Sequence, residues 1–216
     1  MTLLYNERPP YLVTNADGSA SGLTGTPAAR AFTSAGISFV WEILSTDRQI
    51  QSLRKNASQS CAIGWFHKPD REVFAKFTKA IYRDQPFVVI ANRQMRLEAG
   101  AKLINVLSDR RHRVLLKNGF SYGDIDEMMS KAQPNLVYSN GEVLEMLQML
   151  KGNRADMMFA AREEAEYLVR QAGFNADDFQ ILQFPDSPPG KTRHIMCSKS
   201  VPDETIKRLN AAIQME

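Results

Sequence analysis

The chain has 216 residues, 44% of them hydrophobic and 24% charged, with a formal net charge of +3. That length and apolar content allow a buried core and argue against disorder. So small a charge excess makes no case for nucleic acid or an anionic membrane as partner, and the densest basic run, Arg110 to Arg113, reads as a solvated loop before a strand.

No apolar stretch approaches the roughly 18 residues that cross a bilayer; "PFVVIA" at 86–91 has strand length only. The start, "MTLLYNERPP", lacks the basic and apolar regions of a signal peptide. That leaves a cytosolic protein or a mature segment whose leader has been removed. Cys61 and Cys197 lie too far apart for a CxxC redox or metal motif. Two buried thiols and a disulfide between neighbouring strands both stay open. His67, His112 and His194 are scattered, with no carboxylate or thiol at ligand spacing, so neither a metal nor a cofactor is expected.

In chain order, "TLLYN" (2–6) reads as a strand, "RPPY" as a turn and 15–22 as a loop with Asp17-Gly18 at its tip. Thr26-Pro27 supplies an N-cap and a first-turn proline for a helix running to about Ala35. "ISFVWEIL" (37–44) is a strand, Ser45 to Asp47 caps a helix with Ile50 and Leu53 on one face, and "SCAIGWF" (60–66) is a third strand. Strand "FVVIAN" (87–92) and helix "RLEAGAKLINVLS" (96–108) start a second set. Strand 113–119, a helix from Ser121, strand 135–139, helix 141–152, strand 155–161, helix 162–173 and strand 179–184 continue it. "PDSPPGK" (185–191) is the strongest linker signal, and strand 193–199 and a helix begun by Val201-Pro202 close the chain.

This order predicts an α/β protein with two lobes, each a mostly parallel sheet with flanking helices. Residues 1–89 and 194–216 form the first lobe and 90–193 an inserted second, with crossings near 88–93 and 190–196. Open α/β sheets bind ligands at the carboxyl ends of their strands, so two such lobes are expected to share one cleft and to close on a ligand.

The order and spacing of "PPY…DG…G", "CAIGWFHKPDREVFAKFTKAIY", "GEVLEMLQMLKGNRADMMF" and "RHIMCSK" resemble the bacterial extracellular solute-binding proteins of the polar amino-acid class, over roughly 5–213. The resemblance implies a two-lobed periplasmic-binding-protein type II fold and a periplasmic setting. It implies a monomer that hands a small solute to an ABC transporter permease, without catalysis. The family's carboxylate-gripping arginine matches Arg71, whose planar guanidinium suits two parallel hydrogen bonds to a carboxylate. From the residues alone, Arg71 fits a surface pair with Asp70 or Glu72 equally well.

In the second lobe the matching site is "NGFSYGD", where a helix start and the Ser121 hydroxyl offer donors and Phe120 and Tyr122 line the cleft or the core. Glu7, Arg8 and Tyr11 follow the first strand, with Arg8 near the family's aromatic position. Trp65 and Phe66 stand where the family often has small hydroxyl residues, and strand alternation allows one of them at most to face a ligand. Where the family carries an aspartate for the α-ammonium, this chain has Ala161, then Arg162 and Glu163. An amine contact then rests on Glu163, and otherwise an acid without an amine fits better. The same topology makes the Cys61 and Cys197 strands neighbours, which suits a disulfide. Competing readings are a dehydratase-like enzyme on this scaffold with Glu7 or Glu163 as acid, a receptor's sensor domain, a regulator's effector domain and a purely structural module.

Overall fold

The computed structural model describes residues 1–98, 100–119, 122–141, 143–171 and 173–215. In chain order it runs β1 (Thr2–Tyr5), β2 (Val13–Thr14), β3 (Ala20–Ser21), α1 (Gly22–Ser34), β4 (Val40–Ile43), α2 (Thr46–Lys55), β5 (Ser60–Phe66), α3 (Pro69–Glu72) and β6 (Ala75–Arg83). Then come β7 (Phe87–Asn92), α4 (Leu103–Ser108), β8 (Arg113–Lys117), α5 (Asp124–Ala132), β9 (Asn135–Ser139), α6 (Val143–Lys151), β10 (Met157–Ala161), α7 (Arg162–Gln171) and β11 (Phe179–Leu182). The chain ends with β12 (Thr192–Ser198) and α8 (Asp203–Ala212).

Chain contacts divide it into Met1–Asp84 with Lys191–Glu216, and Gln85–Gly190. The sequence reading put the first boundary at 89/90, but β7 lies wholly in the second unit's sheet, hydrogen-bonded on both sides. The first sheet has the order β4-β1-β5-β12-β6, with β1 parallel to β4 and β5, and β12 antiparallel to β5 and β6. The second has the order β11-β7-β10-β8-β9, with β7 antiparallel to its neighbours and β8 parallel to β10 and β9.

Each sheet is covered on both faces, because its strands carry apolar residues toward both. In the first unit α2 covers Leu4, Ala62 and Met196 through Leu53, while α1 and α8 pack on the side of β5 and β6. In the second, Val89, Val114, Met157 and Phe159 meet α4 and α5. Val88, Leu115 and Met158 meet α6 and α7.

Several boundaries differ from the sequence reading. Helix α1 begins at Gly22 rather than Thr26, since Pro10 and Tyr11 carbonyls accept the Leu23 (3.0 Å) and Thr24 (2.9 Å) amides and cap it from the loop. The helix expected from 96 begins at Leu103, where the Asp186 carboxylate accepts the Leu103 (2.7 Å) and Ile104 (3.1 Å) amides. The helix expected from Ser121 begins at Asp124; Ser121 lies outside the described residues. Strand β6 escaped the reading altogether. It buries Ala75, Thr78 and Ile81, a spacing of three caused by register shifts against β12, which mimics a helix.

Candidate functional site

One glycine arranges the end of β5. Against β12, Ile63 pairs with Ile195 and Trp65 with His194, so Gly64 is an extra residue bulged out of the ladder. Its φ of +80° favours glycine, and a Cβ there would sit 2.9 Å from the Thr24 hydroxyl. The bulge turns the alternation over by one residue. Trp65 therefore joins Ala62 on the α2 side, where its indole donates to the Gln49 side chain at 2.9 Å. Gln49 is fully buried and donates in turn to the Leu44 carbonyl and the Asn6 side chain, tying the segments that follow β4 and β1 to the end of β5.

Phe66 lies instead beneath the guanidinium of Arg193, 4.5 Å from its ring centroid, while the Tyr11 ring covers that guanidinium at 3.9 Å. Arg193 is 4% exposed, donates to both Asp84 oxygens at 2.6 and 2.8 Å, and reaches the Gly64 carbonyl at 3.2 Å. The sequence reading missed this pair. The signal was an arginine opening a strand whose other residues are buried.

Arg71 stands on α3, just beyond β5. Its Nη1 donates to the Phe66 carbonyl at 2.7 Å and its guanidinium lies 4.7 Å from the Trp65 ring centroid. The side chain is thus aimed back at the strand end and held there by groups that leave most of its donors unspent. Burial pushes its pKa below the ordinary value, and the Asp70 charge opposes that shift. Among the described residues no carboxylate lies within ion-pairing range of Arg71; Glu72 is taken by His67 at 2.5 Å. The surface pair with Asp70 or Glu72 that the sequence allowed is therefore absent. The arrangement suits an anion better than a structural bridge.

The other candidates scatter. Glu7 accepts from the Thr14 amide (2.8 Å) and hydroxyl, which makes it a brace for the β2–β3 hairpin. The Arg8 guanidinium lies 5.4 Å from the centroid of the Tyr11 ring, the same ring that covers Arg193. Phe120 and Ser121 lie outside the described residues. Tyr122, which the sequence left open between cleft and core, is a core residue: it is 8% exposed, its hydroxyl accepts the Lys117 amide at 2.9 Å, and it lies beside Phe159. Burial pushes its phenol pKa up.

At the carboxyl end of β10, Ala161 is buried opposite Phe87. Arg162 donates to Gln183 at 2.8 Å and sits 3.3 Å from Glu166. Glu163 accepts the Gln85 amide at 2.9 Å, so it holds the start of the second unit. Asp156 braces β8: its carboxylate takes the Arg113 amide at 2.7 Å and a two-point contact from the Arg113 guanidinium. Burial raises its pKa, but the Arg113 hydrogen bonds outweigh that and leave it lowered. Cys61 and Cys197 are joined by a disulfide between paired positions of β5 and β12. Among the described residues no group of three potential metal ligands gathers, and no helix is long and apolar enough to cross a membrane.

No family model matches the sequence, and no curated protein compared with it matches. The folded chain is similar to a probable amino-acid ABC transporter extracellular-binding protein from Bacillus subtilis, with a TM-score of 0.79 at 14% identity over 99% of this chain and 89% of that one. It is similar to an arginine-bound ancestral arginine-binding protein, with a TM-score of 0.70 at 17% identity over 98% and 89%. A periplasmic binding protein of Salmonella typhimurium described for high arginine specificity gives 0.65 at 22% identity over 98% and 90%. The fold is that of the type II periplasmic-binding proteins. All three neighbours of this type II fold are described as binding proteins, and in this chain the half-buried guanidinium of Arg71 stands at the carboxyl end of a strand, where such sheets take ligands.

Proposed function

We propose that the chain captures a small carboxylate-bearing solute, an amino acid or a related organic acid, outside the cytoplasm and delivers it to an ABC transporter permease. The observation that carries this reading is Arg71: a half-buried guanidinium, free of acidic partners among the described residues, aimed at a strand end by Phe66 and Trp65. Each charge-assisted bond from it to a carboxylate contributes about 1.5–3 kcal/mol. The disulfide supports an oxidising compartment. Ala161 carries no charge, and Glu163 is engaged by the Gln85 amide, so the proposal concerns the carboxylate and leaves the amine out.

Thermal unfolding across a panel of the common amino acids and small mono- and dicarboxylates tests it. A ligand at about 100 times its Kd adds about 2.7 kcal/mol, or roughly 5–10 °C for a chain of this size. Arg71→Met is expected to abolish that shift and to change the unliganded Tm by only a few degrees, since one exposed-edge stacking contact and one hydrogen bond contribute about 1–2 kcal/mol together. A full ligand shift retained in Arg71→Met, or no shift from any carboxylate with the unaltered chain, overturns the reading.

A further inference from the structure

The sequence holds two Asn-Gly pairs, Asn118-Gly119 and Asn140-Gly141, and the fold brings them together. Asn118 follows β8 and Asn140 follows β9, and these strands run parallel side by side. The Asn118 side-chain amide donates to the Asn140 side-chain oxygen at 2.7 Å, and the Asn118 backbone amide donates to the Ser139 carbonyl at 2.9 Å. Both asparagines are exposed. Their glycines differ. The Gly141 amide donates to the Ser139 hydroxyl at 3.0 Å. Among the described residues nothing accepts the Gly119 amide, and a Cβ added to Gly119, whose φ is +73°, would meet no atom within 4 Å.

We propose that Asn118 is a site of spontaneous deamidation, and that the fold protects Asn140, its sequence twin, from the same reaction. The Gly119 backbone nitrogen, its proton taken by solvent base, attacks the Asn118 Cγ. The new C–N bond closes a five-membered succinimide. The Cγ–Nδ2 bond breaks, and its nitrogen leaves as ammonia with a proton from water. Water then opens the ring. Attack at Cγ gives aspartate; attack at the main-chain carbonyl gives isoaspartate, with the chain rerouted through Cβ and Cγ. Water is the only co-reactant, and nothing is oxidised or reduced.

A glycine after the asparagine leaves the attacking nitrogen uncrowded and the backbone free to turn toward the side chain. At Gly141 that nitrogen is withheld, because its N–H is already committed to Ser139. At Gly119 it is not. The product at 118 is a carboxylate, which cannot donate to Asn140 and adds a negative charge just past the end of β8. The inference is independent of the solute reading and of Arg71.

Trypsin separates the two sites, since Lys117 precedes Asn118 and Lys131 lies between it and Asn140. The folded full chain, and the same chain unfolded in guanidinium chloride, are incubated in one mildly alkaline buffer. Mass spectrometry of each peptide reads the replacement of NH2 by OH, and methyl transfer by an isoaspartyl methyltransferase counts the isoaspartate. Unfolded, both sites are expected to convert at similar rates. Folded, Asn118 is expected to convert several-fold faster than Asn140. Asn118→Gln is expected to abolish the change at 118, because its ring would have six members and closes slowly. Ser139→Ala frees the Gly141 amide and is expected to speed conversion of Asn140, whereas Ser139→Thr keeps the hydroxyl and leaves it slow. Asn140→Ala removes the tether on the Asn118 carboxamide and is expected to speed Asn118 by roughly 2–10-fold, the equilibrium value of one such hydrogen bond.

An Asn118 that stays intact in the folded chain while the unfolded chain converts overturns the inference. So does an Asn140 that converts as fast as Asn118 in the folded chain. If Ser139→Ala leaves Asn140 as slow as before, the assigned protection is wrong.

Discussion

Arg193 and Asp84 form a doubly hydrogen-bonded ion pair, 5% and 7% exposed, at the two places where the chain leaves and re-enters the first unit. The Asp84 amide also donates to the Lys191 carbonyl at 3.0 Å, so backbone and side chains close the same junction. The guanidinium is held between Tyr11 and Phe66 and reaches Gly64, which links the junction to the strand end whose carbonyl holds Arg71. A buried pair of this kind adds little net stability over apolar residues, yet removing one partner strands the other charge. Asp84→Ala is expected to cost about 3–5 kcal/mol in urea unfolding, and the double variant Asp84→Ala with Arg193→Met less than that single change. A double variant as unstable as the sum of the singles refutes the coupling.

Gly64 is the next test. Left-handed backbone costs a residue with a Cβ about 1–2 kcal/mol, and the contact with Thr24 adds to it. Gly64→Ala is therefore expected to lower stability by about 2–3 kcal/mol. It should also disturb the alternation that separates Trp65 from Phe66, seen as a shift in Trp65 emission. Thr24→Ser, which shortens the neighbour by a methyl, should not restore stability, because the hydroxyl itself is the closest atom. An unchanged melting point in Gly64→Ala removes the bulge from the account.

The same bulge marks how far the sequence could be read. Apolar runs such as "FVVIAN" and "ADMMFAA" announce strands buried on both faces, and β7 and β10 lie where such runs place them. Arg71 stood out because it is a charge just past an apolar run. What stayed hidden depends on strand pairing. Ala75, Thr78 and Ile81 look helical in spacing only because β12 slips against β6. The partner of Arg193 lies 109 residues away, beyond any local pattern. Tyr122 was ambiguous for a related reason: an aromatic after a turn reads the same in a cleft and in a core until its hydroxyl finds the Lys117 amide.

His194 gives the first unit a pH dependence of known sign. Burial lowers its pKa from the ordinary 6.5, with the Thr78 hydrogen bond opposing and the His67 charge assisting. Between the folded and unfolded pKa values the unfolded chain binds the proton and the folded chain does not, so stability rises with pH across that window. The contribution is complete above about 6.5 and is lost as pH falls toward the lowered value. Thermal melts from pH 8 down to about 5 are expected to show Tm falling, and the fall should persist in His67→Gln. If the slope disappears with His67→Gln, His194 is not its source.

The disulfide closes a loop of 136 residues that contains the whole second unit. In the chain-entropy account, a loop of that size restrains the unfolded state by about 5 kcal/mol. Both cysteines are fully buried, so a reductant reaches the bond only when β5 and β12 separate. Two outcomes follow. The native protein is expected to resist mild reductant at low temperature and to yield when urea is added, because reduction then reports opening of the first sheet rather than surface chemistry. Cys61→Ala with Cys197→Ala is expected to unfold at a markedly lower urea concentration while retaining β5–β12 pairing, since the ladder on either side of the bond is made by backbone groups. Rapid reduction of the folded chain, or an unchanged unfolding midpoint in the double variant, would show that the bond restrains nothing that the sheet does not already hold.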